Sequence, residues 1–220
     1  MTENVRQHLD TLLSRYKKLK DCEAQLICAY EEMERAYLAG GKLLIAGNGG
    51  SAADSEHMVG ELMKAFILPR RLSSEAMKRM EQIEPELGPV LAKHLQGALP
   101  AIALDGHPAL TTAYMNDCEP LLCFAQQVNG YGCLEDVLLA ISTSGNSKNV
   151  LYAAVTAKAK GMRVIGLTGA RESRLSALAD VTIRVPETAT YMIQELHLPV
   201  YHCLCLMLEE RFFGNAEERV

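Results

Sequence analysis

A glycine-rich stretch around residue 48 is the first part of the sequence whose composition suits chemistry. An apolar run at 43–46 leads into "GNGGS", where three glycines (Gly47, Gly49 and Gly50) and Asn48 precede Ser51 and a helical pattern. The first N–H groups of a helix lack intrahelical partners and carry partial positive charge, and glycines let a ligand approach the backbone. The stretch fits an anion site, and it fits equally well a tight turn whose serine caps the helix.

A second polar stretch, "ISTSGNSKN" at 141–149, follows another apolar strand pattern and precedes another helical one. It carries four hydroxyl side chains: Ser142, Thr143, Ser144 and Ser147. Hydroxyl donors beside the free N–H groups of a helix start suit the oxygens of a phosphate. A serine-rich turn that caps its own helix is the alternative, and the density of hydroxyls favours phosphate. The chain has no GxxxxGK[ST] motif, so a nucleotide P-loop is not indicated.

Two pairs of side chains have spacings that suit acid–base or metal chemistry. His57 and Glu61 are four residues apart and share a helix face. They could bind a metal, act as acid and base in one cleft, or form an exposed surface pair, which spacing alone favours. Gln194 and His202 are eight apart, close to one face of the last helix. His197 is rotated away from His202, which favours a core or surface histidine.

Short apolar segments alternate with helical patterns through most of the chain, which predicts a parallel sheet covered by helices on both faces. We predict strands over 42–46, 101–104, 137–142, 164–168 and 181–185. We predict helices over 51–65, 107–128, 146–160, 172–179 and 189–212, the last with Pro199 in its interior. Ligands bind outside the carboxyl ends of such strands, and both polar stretches lie at that edge.

Two further helical regions flank this pattern. Residues 4–39 predict one long or two shorter amphipathic helices ended by Gly40 and Gly41, with an apolar face suited to a partner subunit. Residues 66–100 form an insert in which one helix starts at Ser73 or Ser74 and a second covers 86–95, interrupted by prolines. We expect the insert to lie near the cleft, as a lid or an interface element.

The bulk composition excludes several classes of protein. A net charge of −5 and a pI of about 5.7 give no basic face for nucleic acid. The charged N-terminus is not a signal peptide, and no run of about 18 uncharged apolar residues appears, which predicts a cytoplasmic protein without a membrane span. Seven cysteines form no paired metal signature and predict buried free thiols in a reducing compartment; examples are Cys118, Cys123, Cys203 and Cys205.

Four motifs together resemble the sugar-isomerase (SIS) family and, within it, the phosphoheptose isomerases. They are "AGNGGSAADSEHMVGEL", "ISTSGNS", "LTG" and "IQELHLPVYH". The resemblance covers about residues 3–212 except the insert. It implies a three-layer α/β sandwich whose five-stranded parallel sheet is flanked by helices. It also implies one SIS domain over 1–220, with an N-terminal helical segment at 1–40 and the insert at about 66–100.

The resemblance also implies roles for individual side chains. Glu61 matches the catalytic base and His202 its partner acid. Positions that match substrate contacts are Asn48, Gly49, Gly50, Ser51, Asn116, Asp117, Ser142, Thr143, Ser144, Ser147 and Gln194. Positions that match the zinc ligands of some members are His57, Glu61, Gln194 and His202.

The implied activity is aldose–ketose isomerisation of sedoheptulose 7-phosphate to D-glycero-D-manno-heptose 7-phosphate through an enediol, in heptose biosynthesis. The implied assembly is a homotetramer with active sites at subunit interfaces. The alternative is a non-catalytic protein on the same fold: a phosphosugar sensor, or an adaptor that binds the bacterial replication initiator and shares the glycine loop and the "CLC" at 203–205. Glu61 and His202 favour the enzyme, since an adaptor needs no acid and base.

Overall fold

The structure, a computed structural model, describes residues 1–214. The strands are β1 (Leu43–Ala46), β2 (Ala101–Ala103), β3 (Val137–Ile141), β4 (Arg163–Thr168) and β5 (Val181–Arg184). The helices are α1 (Glu3–Arg15), α2 (Glu23–Leu38), α3 (Gly50–Met63), α4 (Ser74–Ile83), α5 (Gly88–His94), α6 (Pro108–Asp117), α7 (Cys123–Tyr131), α8 (Lys148–Ala159), α9 (Arg174–Leu178) and α10 (Thr190–Phe213). Two short 3₁₀ helices cover Lys17–Cys22 and Pro120–Leu122.

The five strands form one parallel sheet in the order β2-β1-β3-β4-β5. Strand β1 lies between two neighbours, with Leu43 opposite both Ala101 and Val137. Leu43 and Ile45 face a core shared with α1, α2, α3 and α10, whereas Leu44 and Ala46 face a second core shared with α7, α8 and α9. This alternation covers both faces of the sheet and confirms the predicted three-layer α/β sandwich.

The N-terminal region contains two helices, the second of the two alternatives predicted for residues 4–39. A 3₁₀ segment separates α1 from α2, and α1 packs along α10. Helix α2 ends before Gly40, whose φ of +80° is a left-handed conformation that glycine adopts without strain. A Cβ on Gly41 would lie 2.3 Å from the Glu135 carbonyl oxygen, so the chain can enter β1 here only without a side chain.

The prediction of one helix over 107–128 is wrong. Helix α6 ends at Asp117, Glu119 is extended, and the chain re-enters helix through the 3₁₀ turn at Pro120 before α7 continues to Tyr131. Proline disfavours helical geometry at the preceding residue and donates no backbone hydrogen bond, which explains the break. Cys118, at this break, is exposed, and so are Cys28 and Cys133, so the prediction of buried thiols is wrong for these three. Cys22, Cys123, Cys203 and Cys205 are buried as expected.

The insert forms the predicted pair of helices, α4 and α5, which pack against each other. Ser73 caps α4 by accepting a hydrogen bond from the Ala76 N–H, and the second helix begins at Gly88, two residues later than predicted. The two ends of the insert lie together because the Gly97 N–H donates to the Arg70 carbonyl over 2.7 Å.

Helix α10 remains continuous through Pro199, which is buried in its interior. It packs against α1, α2 and α3 and therefore anchors one whole face of the molecule. Among residues 1–214, no helix has both the length and the apolar character needed to cross a membrane.

Candidate active site

The glycine loop is shaped by two close approaches. Gly49 has φ +58° and ψ −120°, which disfavours any residue with a side chain. A Cβ on Gly50 would lie 2.5 Å from the Gln194 side-chain nitrogen, so a side chain here would displace the end of Gln194. Asn48 exchanges two amide hydrogen bonds with Asn149, of 3.0 and 2.7 Å, which join this loop to the start of α8. Ser51 is almost fully buried one residue into α3.

The hydroxyl loop between β3 and α8 is built around Gly145, whose φ is +64°. The Ser142 and Ser147 hydroxyls hydrogen-bond each other over 3.0 Å. In the described part of the chain, Ser147 makes no side-chain cap on α8, although the Ser144 hydroxyl accepts from the Asn146 N–H within the turn. Thr143 and Ser144 line a small cavity of about 180 Å³, which Glu172 and Glu187 line as well. The features that suit an anion are therefore the hydroxyls and the free N–H groups at the start of α8.

Arg171 lines the same cavity as Thr143 and Ser144 and adds a cation that the sequence motifs do not indicate. It follows the "LTG" motif at the carboxyl end of β4, next to the hydroxyl loop in the sheet order. Its position two residues after Gly169 is the signal that could have identified it. A guanidinium is well suited to a phosphate because its donors match the spacing of two oxygens.

The structure brings His57, Glu61 and His202 together across the contact between α3 and α10. The His57 Nε2 lies 3.3 Å from a Glu61 carboxylate oxygen, and the His57 and His202 rings meet edge to face with centroids 5.0 Å apart. The Glu61 side chain is 12% exposed, whereas the His57 side chain is 43% exposed, so the pair is shielded on its carboxylate side only. The other Glu61 oxygen lies 3.2 Å from the Lys64 ammonium.

His202 has a lowered pKa and an unused ring nitrogen. Burial, and secondarily the neighbouring His57, lowers its pKa, although Glu61 opposes the shift. Its buried Nε2 has no hydrogen-bond partner among residues 1–214, which suits a ligand, substrate or ion. His197 also has unpartnered ring nitrogens, but it is fully buried and burial lowers its pKa to about 4, so it is a core histidine away from Glu61.

Tyr201 and Asp54 also belong to this cluster, and the sequence analysis missed both. The Tyr201 hydroxyl lies 3.0 Å from His57 Nδ1. Burial raises the pKa of Tyr201, the Asp54 carboxylate adds to the shift, and burial likewise raises the pKa of Asp54. Both were visible in principle, since Asp54 lies three residues before His57 on one helix face and Tyr201 immediately precedes His202.

His57 contacts Tyr201 and Glu61 through its two ring nitrogens. Its Nδ1 lies 3.0 Å from the Tyr201 hydroxyl, and its Nε2 lies 3.3 Å from a Glu61 carboxylate oxygen. When the Tyr201 hydroxyl donates to Nδ1, Nε2–H donates to Glu61. The other tautomer donates from Nδ1–H to Tyr201 and leaves the Nε2 lone pair to a cation.

The donor types of this cluster fit zinc, which prefers imidazole nitrogen and carboxylate oxygen. Two ligands on a tetrahedral zinc lie about 3.3 Å apart, which matches the His57–Glu61 separation. Within residues 1–214, however, no three His, Cys, Asp or Glu side chains already form a metal-binding group. Gln194 lies eight residues before His202 on α10, against Gly50. The site thus has two donors 3.3 Å apart, His57 and Glu61, and a third, His202 Nε2, without a partner in the described chain.

The acid–base cluster lies apart from the two cavities beside the polar loops. Glu61 lies eleven residues beyond Gly50, about 16 Å along α3 at 1.5 Å per residue, toward the opposite edge of the sheet. The cavities that contain Ser144 and Asn48 are lined by neither His57, Glu61 nor His202. That all these residues contact one substrate stays a prediction.

The predicted sugar contacts Asn116 and Asp117 lie exposed at the end of α6, where they hydrogen-bond each other over 2.7 Å. A cavity of about 320 Å³ beside the glycine loop is lined instead by Asp105, Thr111 and Asn48, among other residues. Burial, with a smaller contribution from Glu56, raises the pKa of Asp105 to about 6.

The sequence of the chain matches known proteins over most of its length. Two models of the SIS domain match residues 73–169 and 133–207. The chain is 35% identical to the phosphoheptose isomerase of Rhodospirillum rubrum, over 96% of this chain and 98% of that one. It is 37% identical to phosphoheptose isomerase 2 of Campylobacter jejuni, over 94% and 91% of the two chains. The chain belongs to the phosphoheptose isomerase family.

Solved structures of phosphoheptose isomerases also superpose on this fold. That from Francisella tularensis is 30% identical with a TM-score of 0.73, and covers 96% of this chain and 100% of its own. That from Neisseria gonorrhoeae is 31% identical with a TM-score of 0.68, and covers 92% and 96%. The matches therefore span nearly the whole length of these two relatives.

The buried carboxyl of Asp105 predicts a pH-dependent stability. Its pKa is higher in the folded state, so the fold loses stability as the pH rises from 3.8 to about 6. We expect Asp105→Asn to stabilise the protein at about pH 7.5 by on the order of 1 kcal/mol, after allowing for solvent screening, and to change little at about pH 3.5. Urea unfolding at both pH values measures this. The exposed Asp21→Asn is the control, and equal effects of the two variants would contradict the assignment.

Proposed function

We propose that this chain interconverts sedoheptulose 7-phosphate and D-glycero-D-manno-heptose 7-phosphate. The observation that carries the proposal is the meeting of a shielded carboxylate, Glu61, with two imidazoles, His57 and His202, in a chain of the phosphoheptose isomerase family. Aldose–ketose isomerisation needs a base for a carbon-bound proton and a group that moves protons between two neighbouring oxygens. A carboxylate beside a neutral imidazole supplies both.

The proton transfers can be written with Glu61 and His202 alone. From the ketose, the Glu61 carboxylate removes a proton from C1 while His202 donates a proton to the carbonyl oxygen on C2, which gives the 1,2-enediol. The Glu61 carboxylic acid then protonates C2, and His202 recovers a proton from the oxygen on C1, which becomes the aldehyde. The lowered pKa of His202 suits this role because a neutral imidazole both donates and accepts.

The phosphate would be held by the hydroxyl loop. Ser144 and Thr143 provide hydroxyl donors, Arg171 provides charge, and the first N–H groups of α8 complete the site. Because the phosphate lies at the far end of the substrate from C1, this loop sets affinity and register and takes no part in proton transfer.

A panel of phosphosugars assayed by NMR for aldose–ketose exchange tests the function. We expect wild type to turn over sedoheptulose 7-phosphate, and Glu61→Gln to turn over about 10²–10⁴-fold more slowly while still binding it, since loss of a general base typically has that effect. His197→Ala is the control. His197 is a buried histidine on α10, the helix that carries His202, and its loss should affect stability alone. Binding without turnover by wild type would replace the enzyme with a phosphosugar sensor.

We also propose that the cluster binds one zinc ion per subunit through His57, Glu61 and His202, with Gln194 as a further ligand. The support is the 3.3 Å separation of the first two donors and the unpartnered His202 nitrogen. When bound, zinc would polarise the substrate carbonyl and stabilise the enediolate. Elemental analysis of purified protein tests this directly: we expect stoichiometric zinc in wild type, little in His57→Ala, and wild-type content in His197→Ala. Zinc-free wild type after saturation with zinc would contradict it.

The separation of the two clusters within one chain supports a homotetramer whose active sites lie between subunits. The outer face of α10 exposes Tyr191, Met192 and Leu198, apolar side chains that a second copy could cover. In such an assembly, the acid–base cluster of one subunit faces the hydroxyl loop of another. The seven cysteines, all free, support a reducing compartment, and we place the enzyme in the cytoplasm.

Subunit mixing tests the shared site. Glu61→Gln and the double variant Thr143→Val/Ser144→Ala should each be impaired alone. Co-refolded in equal amounts, they should regain activity in about a quarter of the sites, the fraction that receives both intact halves by chance. Light scattering should give four times the 24.1 kDa chain mass. A monomer, or no recovery on mixing, would contradict the proposal.

A further inference from the structure

One ion pair, Arg70 with Glu209, lies entirely inside the protein. Both side chains are 0% exposed, and the Arg70 Nε donates to a Glu209 oxygen over 2.8 Å. The Phe213 ring lies below the guanidinium, with its centroid 4.7 Å away. Replacing such a pair by apolar side chains is often neutral or stabilising, so stability alone does not account for burying two charges.

The remaining donors of Arg70 hold the last turn of α3. Nη1 donates to the Leu62 carbonyl over 2.6 Å and Nη2 to the Glu61 carbonyl over 2.8 Å. Carbonyls in the last turn of a helix lack intrahelical partners, and a cation there also interacts favourably with the helix dipole. Arg70 therefore contacts the backbone of the very residue that we assign as the base.

Glu209 holds the chain where it leaves α3. Its carboxylate accepts backbone hydrogen bonds from Phe66, Ile67 and Leu68 over 2.7, 2.9 and 3.2 Å. The Phe66 ring in turn lies against the ring of His202, with centroids 5.5 Å apart. Glu209 and His202 are seven residues apart on α10, close to two helical turns. One buried pair thus ties the backbone of Glu61 to the helix that carries His202.

We propose that the Arg70–Glu209 pair is a positioning device that fixes the Glu61 carboxylate relative to His202. The inference rests on the proposed isomerase function. It assigns a role to the first residues of the insert, 66–70, which would otherwise be only a connection. Misplacing a reacting group by about 1 Å can reduce the rate about 10²-fold, so such a device affects turnover more than substrate binding.

The test compares Arg70→Lys, which keeps the charge but cannot serve Glu209 and both carbonyls together, with a control of similar burial. Asp136 is 1% exposed and accepts hydrogen bonds from the Lys42 and Cys133 N–H groups and from the Lys42 ammonium, at the amino end of β3. We expect Arg70→Lys to lower kcat about 10–100-fold with KM nearly unchanged. Asp136→Asn should lower stability and leave kcat unchanged.

A double variant separates positioning from general damage. If Arg70 acts through Glu61, Arg70→Lys adds no further loss of kcat to Glu61→Gln, because groups that act as a unit are not additive. Multiplicative losses, or an equal loss in Asp136→Asn, would overturn the proposal. If Arg70→Lys does not fold, the double variant Arg70→Met/Glu209→Gln, which removes both charges together, is used in the same kcat comparison.

A second measurement tests the positioning role independently of turnover. If wild type turns over no phosphosugar, the proposed function is refuted, but amide exchange still tests the role of Arg70. Amide hydrogen exchange over residues 58–64 should be at least about tenfold faster in Arg70→Lys than in wild type, because the last turn of α3 opens locally. It should stay at the wild-type rate in Asp136→Asn. Unchanged exchange in Arg70→Lys would show that Arg70 does not fix this turn and would overturn the positioning role.

Discussion

Helices α3 and α10 contact each other over much of their length, and the candidate chemistry depends on this contact. At the carboxyl edge of the sheet, the Gln194 side chain lies against Gly50. Toward the other edge, Arg70 pairs with Glu209 on α10 and donates to the Glu61 and Leu62 carbonyls at the end of α3. His57 and His202 meet between these regions, where close packing limits their movement.

The side chains between these contacts are ones that a fold selected for stability alone would avoid. His202 has a buried nitrogen without a partner in the described chain, and Asp54 and Tyr201 are carboxyl and phenol groups whose pKa values burial raises. Each is unfavourable in an apolar interior. Their concentration around His57 and Glu61 agrees with the tendency of functional sites to concentrate perturbed groups.

The local pattern of the sequence was sufficient for the sheet and for the polar loops. Strand β3 and the hydroxyl loop lie where apolar residues and hydroxyls predict them, because strand periodicity and helix starts are local properties. The break at Pro120 is also a local feature. The prediction of one helix over 107–128 missed it because the helical pattern on both sides was given more weight than the proline. Asn116 and Asp117 were assigned from the resemblance, and the chain alone places them at an exposed helix end.

Contacts between distant parts of the chain could not be predicted in this way. Arg70 and Glu209 are 139 residues apart, and neither position stands out in its own segment. The same holds for the separation between the acid–base cluster and the hydroxyl loop. It follows from the direction in which α3 runs away from the glycine loop, which the motifs themselves do not reveal.

The central claim, that Glu61 moves a carbon-bound proton, is tested most directly by isomerisation in heavy water followed by NMR. We predict that wild type incorporates deuterium at C1 of the ketose and C2 of the aldose, because an enediol exchanges its proton through the base. Glu61→Gln should lose this exchange in parallel with isomerisation. Isomerisation and deuterium incorporation at the wild-type rate in Glu61→Gln would contradict the account.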